Sequence, residues 1–419
     1  MLESLEAAFY PIVVNINTYL SSYILVFLLI GVGLFYSIRT RFVQVRCFGE
    51  GMRKVFGSLS LRGGRQKQGM SSFQALATAI AAQVGTGNIV GGSGAILAGG
   101  PGAIFWMWII AFFGMATIYA EATLAIKTRI TDENGDFHGG PVYYITTAFK
   151  GGFGKFLAGF FSVAIIFALG FTGNMVQANS ISVAFKTAFG APQIVVGIVC
   201  AIIAAFIFLG GVGRIASVTE KVVPIMALFY MAGCVVILCI NHAAIIPAFK
   251  SIFVAAFDPQ AILGGAAGIT VRQAMRYGVA RGLFSNEAGM GSTPHAHALA
   301  NVKNPHEQGT VAMIGVFIDT FVVLTMTALV VISTLYAGNG PLAHGAVDGI
   351  SKTNMAQLAF SSVFGETLGN LPAVFRVFDH RRLEPLRPHQ CQLSLRQEGE
   401  PPVLHHRPRL HLPRLLPVQ

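Results

Sequence analysis

The sequence predicts an all-α polytopic membrane protein built as an inverted repeat whose second copy is incomplete, and three observations carry that expectation. The first is composition. Of 419 residues, 53% are hydrophobic and only 11% charged, against about 25% charge in soluble domains. Several apolar runs reach the ~20 helical residues needed to cross a hydrocarbon core of ~30 Å. The second is a weak point inside the apolar segment 70–97, where Gln83-Val84-Gly85-Thr86-Gly87-Asn88-Ile89-Val90-Gly91-Gly92-Ser93 interrupts membrane-length sequence. Glycine loses backbone entropy in a helix and Asn competes for its hydrogen bonds. Irregular backbone at membrane depth is tolerated only where it is buried in protein or lines a polar cavity, so the break is a candidate binding site. The third is repetition. Shifted by 199 positions, Gly69, Gln74, Ala75, Ala81, Gly92 and Ser93 meet Gly268, Gln273, Ala274, Ala280, Gly291 and Ser292, and Thr86 meets Ser285. A topology count runs the two segments in opposite directions, the mark of a secondary transporter with its site at paired helix breaks.

The elements follow in order. A first span over 19–38 leads into Arg39, Arg41, Arg46, Arg53, Lys54, Arg62, Arg65 and Lys67. Basic loops stay in the cytoplasm, so the Arg39 to Lys67 loop is cytoplasmic, the N-terminus outside, and the membrane a cell inner (plasma) membrane. Glu3 and Glu6 without a basic n-region do not read as a cleaved signal peptide. The broken helix runs outward to the Gly99-Gly100-Pro101-Gly102 turn, and a span over 103–126 returns to Lys127 and Arg129. A polar loop and a short amphipathic piece, 140–150, come next. A long segment, 153–189, is interrupted at Gly170-Phe171-Thr172-Gly173-Asn174, and spans over 193–209 and 218–240 follow. Residues 243–257 read as an amphipathic helix at the outer surface. The second weak helix covers 264–297, with its break in Gly282 to Ser292, and a last clear span, 311–335, carries Asp319. A carboxylate in an apolar helix is a functional candidate by default, with a structural cap the even alternative. The chain thus divides into 1–68, an N-terminal helix and basic loop; 69–240, the first repeat; 241–371, a partial second repeat; and 372–419.

That last stretch changes character, holding eight of the 18 prolines and eight arginines. It cannot build a core, and disorder is the expectation. Two readings of it compete: a natural basic extension, or a shift of reading frame near residue 371. The second is favoured, because moving the frame by one base over 378–387 permits Ser-Thr-Ile-Val-Ala-Trp-Ser-Leu-Tyr-Gly, an apolar segment. In that case the chain is a truncated and inactive product of a transporter gene.

Gly85-Thr86-Gly87-Asn88-Ile89, Tyr119-Ala120-Glu121, Gly139-Gly140-Pro141 with Tyr143-Tyr144, and Arg281 through Gly289 together resemble the alanine/glycine:cation symporters, also called sodium:alanine symporters, over residues 10–370. The resemblance implies a leucine-transporter-type five-plus-five inverted repeat with an extra N-terminal helix. It also implies symport of small neutral amino acids with sodium as coupling ion, and no other cofactor. The shifted-frame segment is similar to that family's ion- and substrate-site helix, from which the chain as written departs.

A zwitterionic substrate needs a positive field for its carboxylate and acceptors for its ammonium, and a broken helix offers both. Gly85 and Gly87 let the backbone approach the ligand. The N–H groups of Gly87 and Asn88 are assigned to the carboxylate, and Thr86 and Asn88, with free carbonyls, to Na⁺. Gly-mediated packing with Asn88 as a helix cap is the plain alternative. Gln83 just ahead of the break reads equally as a ligand or an interhelical brace. Ser285, Asn286 and Gly289 complete the pocket from the second break. Glu287 braces unwound backbone, and Phe171 covers the substrate or serves as a core aromatic. Arg281 belongs to a gate, with Glu121 or Asp319 as its partner. The net charge of +11 is explained by cytoplasmic loops rather than nucleic acid. The cysteines lack metal-ligand spacing, so no zinc site is implied, and no obligatory protein partner is expected beside the lipid bilayer. An enzyme is disfavoured: Ser285 and His295 have no positioned acid and lie about 15 Å apart if helical. A passive channel does not need two oppositely directed broken helices.

Overall fold

The computed structural model describes residues 2–57, 75–77, 80, 83, 85–133, 137–258, 270–338, 340–343 and 349–369. The expected 372–419 tail lies outside the described residues, as do Gly69, Gln74, Ala81, Gly268, and Arg62 to Lys67 of the basic loop. The described chain is helical apart from one two-stranded hairpin. Helix α1 (Leu2–Tyr19) runs through a widened turn at Leu20–Ile24 into α2 (Leu25–Arg39), so the first helix starts well before the expected span. Short α3 (Val43–Arg46) and amphipathic α4 (Phe48–Gly57) follow.

Past Gly85 the chain forms a widened turn, Gly87–Gly91, then α5 (Gly92–Gly99) and α6 (Gly102–Thr128). Strands β1 (Ile130–Thr131) and β2 (Phe137–His138) pair antiparallel, and α7 (Pro141–Ala148) matches the expected amphipathic piece. Helix α8 (Gly151–Ile165) continues through a widened Ile166–Gly173 into α9 (Asn174–Phe189). The expected interruption at Gly170 to Asn174 is therefore a π-type bulge and not a break. The reason lies in Asn174: its backbone N–H reaches Phe171 O while its side-chain amide donates to Gly170 O at 3.0 Å. The freed carbonyl is satisfied locally, and the helix carries on.

Helices α10 (Gln193–Phe208), α11 (Gly211–Ile240, with Pro224 inside) and α12 (His242–Phe257) come next. Helix α12 was expected to be amphipathic, but its exposed face is largely apolar, with Ile246, Phe249, Phe253 and Phe257. Its Ala248, Ser251, Ile252, Ala255 and Ala256 are buried, and Ala255 meets Gly102 so closely that a Cβ there would lie 2.2 Å from its carbonyl. Helix α13 (Val271–Asn286) opens on a capping box between Thr270 and Gln273 and ends where Glu287 turns left-handed. Helix α14 (Pro294–Ala298) resumes after 287–293. Helix α15 (Pro305–Val316) then runs through a widened Phe317–Leu324, α16 (Thr325–Val331) and a widened Ile332–Tyr336. Helix α17 (Met355–Gly369) is kinked at Gly365.

Among the described residues, length and apolar composition suit four helical runs to cross a membrane: Gly102–Thr128, Gly151–Phe189, Ser217–Ile240 and Pro305–Tyr336. They are not equivalent. The window of Pro305–Tyr336 is 72% buried inside the protein and that of Gly151–Phe189 only 11%, so the first is central and the second peripheral.

Glycines set how α13 sits in the centre. Cβ atoms at Gly87, Gly91 and Gly99 would meet Ser285, Phe284, and Ala274 with Tyr277, respectively. The residue numbers rise on one side and fall on the other, so α13 is antiparallel to the 87–99 helix. Along α6, Gly278 faces Ala103 and Trp106, and Gly282 faces Met107 and Ile110; those numbers rise together, so α13 is parallel to α6. Arg272 and Arg276 anchor its first turns on the N-terminal helix. Arg272 donates to the Tyr23 hydroxyl, and Arg276 reaches Thr18 and Ser21 at 3.5 Å.

A Cβ at Gly278 would lie 2.4 Å from the Ala103 carbonyl oxygen, whereas one at Gly197 would meet nothing within 4 Å. Gly278→Ala is expected to lower the melting temperature of the detergent-solubilised protein by an overpacking cost of about 1–3 kcal/mol. Gly197→Ala is expected to leave it unchanged or raise it, because Ala is the better helix former by ~1 kcal/mol. Thermal unfolding of the two variants side by side measures both.

Candidate functional site

The two predicted weak points touch. A Cβ on Gly87 would lie 2.8 Å from Ser285 Cα, a distance only glycine permits. Among the described residues, irregular backbone at the first weak point is confined to Gly85, where a broader break was expected. Asn88 is the cause. Its Oδ1 accepts from the Gly85 N–H at 2.8 Å, while the N–H groups of Asn88 and Ile89 both reach the Gly85 carbonyl. Helix resumes at Thr86 and is widened over Gly87–Gly91. The second weak point is more open. Residues 287–293 are non-helical, with Glu287, Gly289 and Gly291 at φ 55°, 93° and 75°, the left-handed region that glycine adopts freely and Glu does not.

Asp319 joins the two. It is fully buried on the widened turn after α15. Asn88 Nδ2 donates to both its carboxylate and its backbone carbonyl at 2.8 Å, Ser285 Oγ donates to Oδ2 at 3.0 Å, and Thr320 Oγ1 to the same oxygen at 2.8 Å. Asn286 Nδ2 extends the network to Thr320 at 3.4 Å, and Asn286 Oδ1 accepts from the Ala288 N–H at 3.1 Å. Gln83 Nε2 donates to the Asn286 carbonyl at 2.8 Å. Its Oε1 is buried with no hydrogen-bond partner among the described residues, 3.0 Å from where a Cβ of Gly315 would stand. Thr86 is buried beside them.

Thus Gln83, Gly85, Thr86, Gly87, Asn88, Ser285 and Asn286 form one constellation. Asp319, expected at a gate or as a structural residue, stands at its centre. Thr320 is the member that sequence reasoning missed; a hydroxyl next to the one carboxylate of an apolar helix was the available signal.

The second break holds its own charge. Glu121 on α6 accepts from the Gly289 N–H at 2.9 Å and the Gly291 N–H at 3.1 Å, one with each carboxylate oxygen. Glu287 accepts from Ser292 Oγ at 2.7 Å, bracing the loop. Arg281 pairs with neither Glu121 nor Asp319, the two partners considered from sequence. Its Nε and Nη2 are buried without a hydrogen-bond partner among the described residues. Phe171 is not brought to the constellation in this conformation: it is 55% exposed and stacks on Phe167, itself 58% exposed.

Beneath the second break, Arg129 donates to the Ala298 carbonyl at 2.9 Å and the Ala300 carbonyl at 2.6 Å, and stacks on Phe137 of the hairpin. It satisfies carbonyls at the end of α14 as basic groups do at helix C-termini. Burial of this guanidinium holds its pKa below the usual arginine range.

The oxygens here are hard ligands, and the donors and acceptors are those a small zwitterion can use. The profile of the sodium:alanine symporter family matches residues 6–378. The chain is 43% identical over 347 residues to an uncharacterized transporter of Haemophilus influenzae, covering 82% of this chain and 73% of that protein. It is 44% identical over 324 residues to a sodium/alanine symporter of Methanococcus maripaludis, covering 77% and 70%. With a probable sodium/glutamine symporter of Bacillus subtilis it shares 40% identity over 317 residues, covering 75% and 64%.

Two outcomes test the geometry. In a double-mutant cycle on unfolding stability, Asn88→Ala and Asp319→Asn are expected to show a coupling of about 0.5–3 kcal/mol; additive effects would contradict the bond. Glu121→Ala frees the Gly289 and Gly291 amides and is expected to speed hydrogen exchange across 287–293, read by mass spectrometry, while leaving α10 unchanged.

Proposed function

We propose that this chain, which belongs to the sodium:alanine symporter family, is a multi-pass membrane protein that carries a small neutral amino acid together with Na⁺ by alternating access. The observation that carries the reading is the meeting of Gly87 with Ser285 in antiparallel helices, bridged by the buried carboxylate of Asp319. Paired discontinuous helices at a midplane site are how inverted-repeat transporters bind substrate and ion. The five-plus-five architecture is part of the proposal, supported by that antiparallel pairing.

The substrate lies between 83–88 and 285–289 in this reading. The unpartnered Gln83 Oε1 is an acceptor for its ammonium. The Gly87 N–H, and that of Gly289 once Glu121 gives it up, face its carboxylate, while the Asn88 N–H assigned to it from sequence is taken by the Gly85 carbonyl. Sodium is held by hard oxygens: Thr86 and the Asn88 amide, as the sequence suggests, with the Asp319 carboxylate supplying the negative charge. Ser285 and Thr320, which already donate to that carboxylate, sit where they can turn an oxygen toward the ion. Glycine at 87 and 91 keeps the pocket small, which favours alanine and glycine. Arg281 and Glu121 serve the gate, and Glu287 holds the loop. The basic residues after Arg39 support a cytoplasmic loop in a plasma membrane, with the N-terminus outside.

Uptake of labelled alanine, glycine and glutamine into proteoliposomes, with and without an inward sodium gradient, tests the proposal. Sodium-stimulated uptake of alanine or glycine is expected. Saturable uptake indifferent to sodium would reject the coupling, and no uptake would reject transport by this chain. Asp319→Asn, which keeps the shape and removes the charge, is expected to raise the sodium concentration for half-maximal uptake tenfold or more, a loss of about 1.4 kcal/mol.

A further inference from the structure

At the end of the molecule where α3 leads into α4, the side chains of Cys47, Glu50 and His306 bring a thiol sulfur, a carboxylate oxygen and an imidazole nitrogen within 4.8 Å of one another. We propose that these three residues form a binding site for a thiophilic divalent cation of the Zn²⁺ class, tying α4 to the start of α15.

The ligand set is mixed in the way zinc accepts: thiolate, imidazole and carboxylate. His306 Nε2 and Glu50 Oε2 stand 3.3 Å apart, long for a charge-assisted hydrogen bond but equal to the edge of about 3.3 Å between N and O ligands of a tetrahedral zinc. Sulfur sits at most about 3.6 Å from its neighbours in such a site, so closure needs a side-chain movement of roughly 1 Å.

Two of the three ligands, His306 and Glu50, are already oriented. The Tyr119 hydroxyl lies 2.8 Å from His306 Nδ1, leaving Nε2 to face the cluster, the outer-shell arrangement that fixes metal-binding histidines. Asn304 Oδ1 accepts from the His306 N–H at 3.0 Å and caps α15. Lys54 holds the other Glu50 oxygen at 2.8 Å. Helices α4 and α15 cannot drift apart cheaply, since Gly51 stands so close to Thr310 O that a Cβ there would lie 2.8 Å away. Access exists too: Cys47 is buried, but Glu50 and His306 are 42% and 34% exposed.

On binding, the Cys47 thiol releases its proton to solvent and the thiolate takes the ion. Three protein ligands leave a fourth position for water. The residues are 256 positions apart in sequence between Glu50 and His306, which is why spacing alone implies no zinc site.

The test is a titration of the purified full chain in detergent with Cd²⁺, a spectroscopic substitute for Zn²⁺, read by its ultraviolet thiolate-to-metal charge-transfer band. One equivalent is expected to bind and Zn²⁺ to displace it. Cys47→Ser is expected to abolish the band, and Glu50→Gln and His306→Asn to weaken binding tenfold or more. Cys239→Ser, which removes an exposed cysteine elsewhere, is expected to leave it intact. In the unmutated chain, Zn²⁺ is expected to slow maleimide labelling of Cys47, so the proposal can be judged even if a variant misfolds. A band that survives Cys47→Ser, an affinity unchanged in His306→Asn, or labelling of Cys47 indifferent to Zn²⁺ would overturn it. None of these readouts depends on transport.

Discussion

Asp319 is the residue on which the centre of this protein depends. A carboxylate buried in apolar surroundings is costly unless its oxygens are satisfied, and here they are satisfied by donors from three different places: Asn88 on one helix, Ser285 at the end of another, and Thr320 beside it. None of these donors is a neighbour in sequence except Thr320. The carboxylate therefore acts as a pin between the first weak point, the second weak point and the span after α15. Removing one partner from such a network leaves the others unpaired in the interior, and the asymmetry between making and losing a buried hydrogen bond makes the three elements settle together.

Packing makes that pin possible. Donors from separate helices reach one carboxylate only if the backbones come close, and glycine is how they do so. Gly87 admits the Ser285 backbone, Gly278 and Gly282 seat α13 against α6, and Gly51 admits α15. Small residues are the means of close approach between helices in membranes, where apolar side chains gain nothing by leaving lipid. Part of the high glycine content, 48 of 419, lies at these crossings.

The sequence made the membrane class, the weak points at Gly85 to Asn88 and Gly282 to Ser292, the Gly99 to Gly102 turn and the α7 piece legible, because each rests on local composition. It did not reveal what the weak points do to the backbone. Asn88 read as a ligand, with a helix cap as the plain alternative, and in the fold its amide oxygen meets the Gly85 N–H, a bond that glycine and asparagine content alone does not fix. The bulge at Ile166–Gly173 read as a break for the same reason: the Asn174 side chain that rescues the Gly170 carbonyl is visible only as geometry. Long-range partners were beyond reach. Nothing in the sequence paired Glu121 with the amides of Gly289 and Gly291, Arg272 with Tyr23, or His306 with Glu50, since each depends on which helices are neighbours.

The two weak points hold together in different ways, and the difference bears on how such a centre can change. At the first, neutral groups of the same chain segment close the gap: Asn88 turns back on Gly85. At the second, two backbone amides in a left-handed loop are closed by a carboxylate from another helix, Glu121. Successive amides in such a loop form an anion-binding concavity, and here the anion is internal. In the proposed binding mode a substrate carboxylate competes with Glu121 for those amides, whereas its ammonium meets a buried Gln83 oxygen that has no hydrogen-bond partner among the described residues. On that proposal the two ends of a zwitterion meet unequal resistance, because only the carboxylate end requires Glu121 to give way. Because Glu121 is on α6, along which α13 is packed through Gly278 and Gly282, such a displacement is felt at the helix interface and not only at the loop. That makes the Glu121 contact, together with the Asp319 pin, the pair of interactions through which ligand binding can be coupled to the packing of the helices.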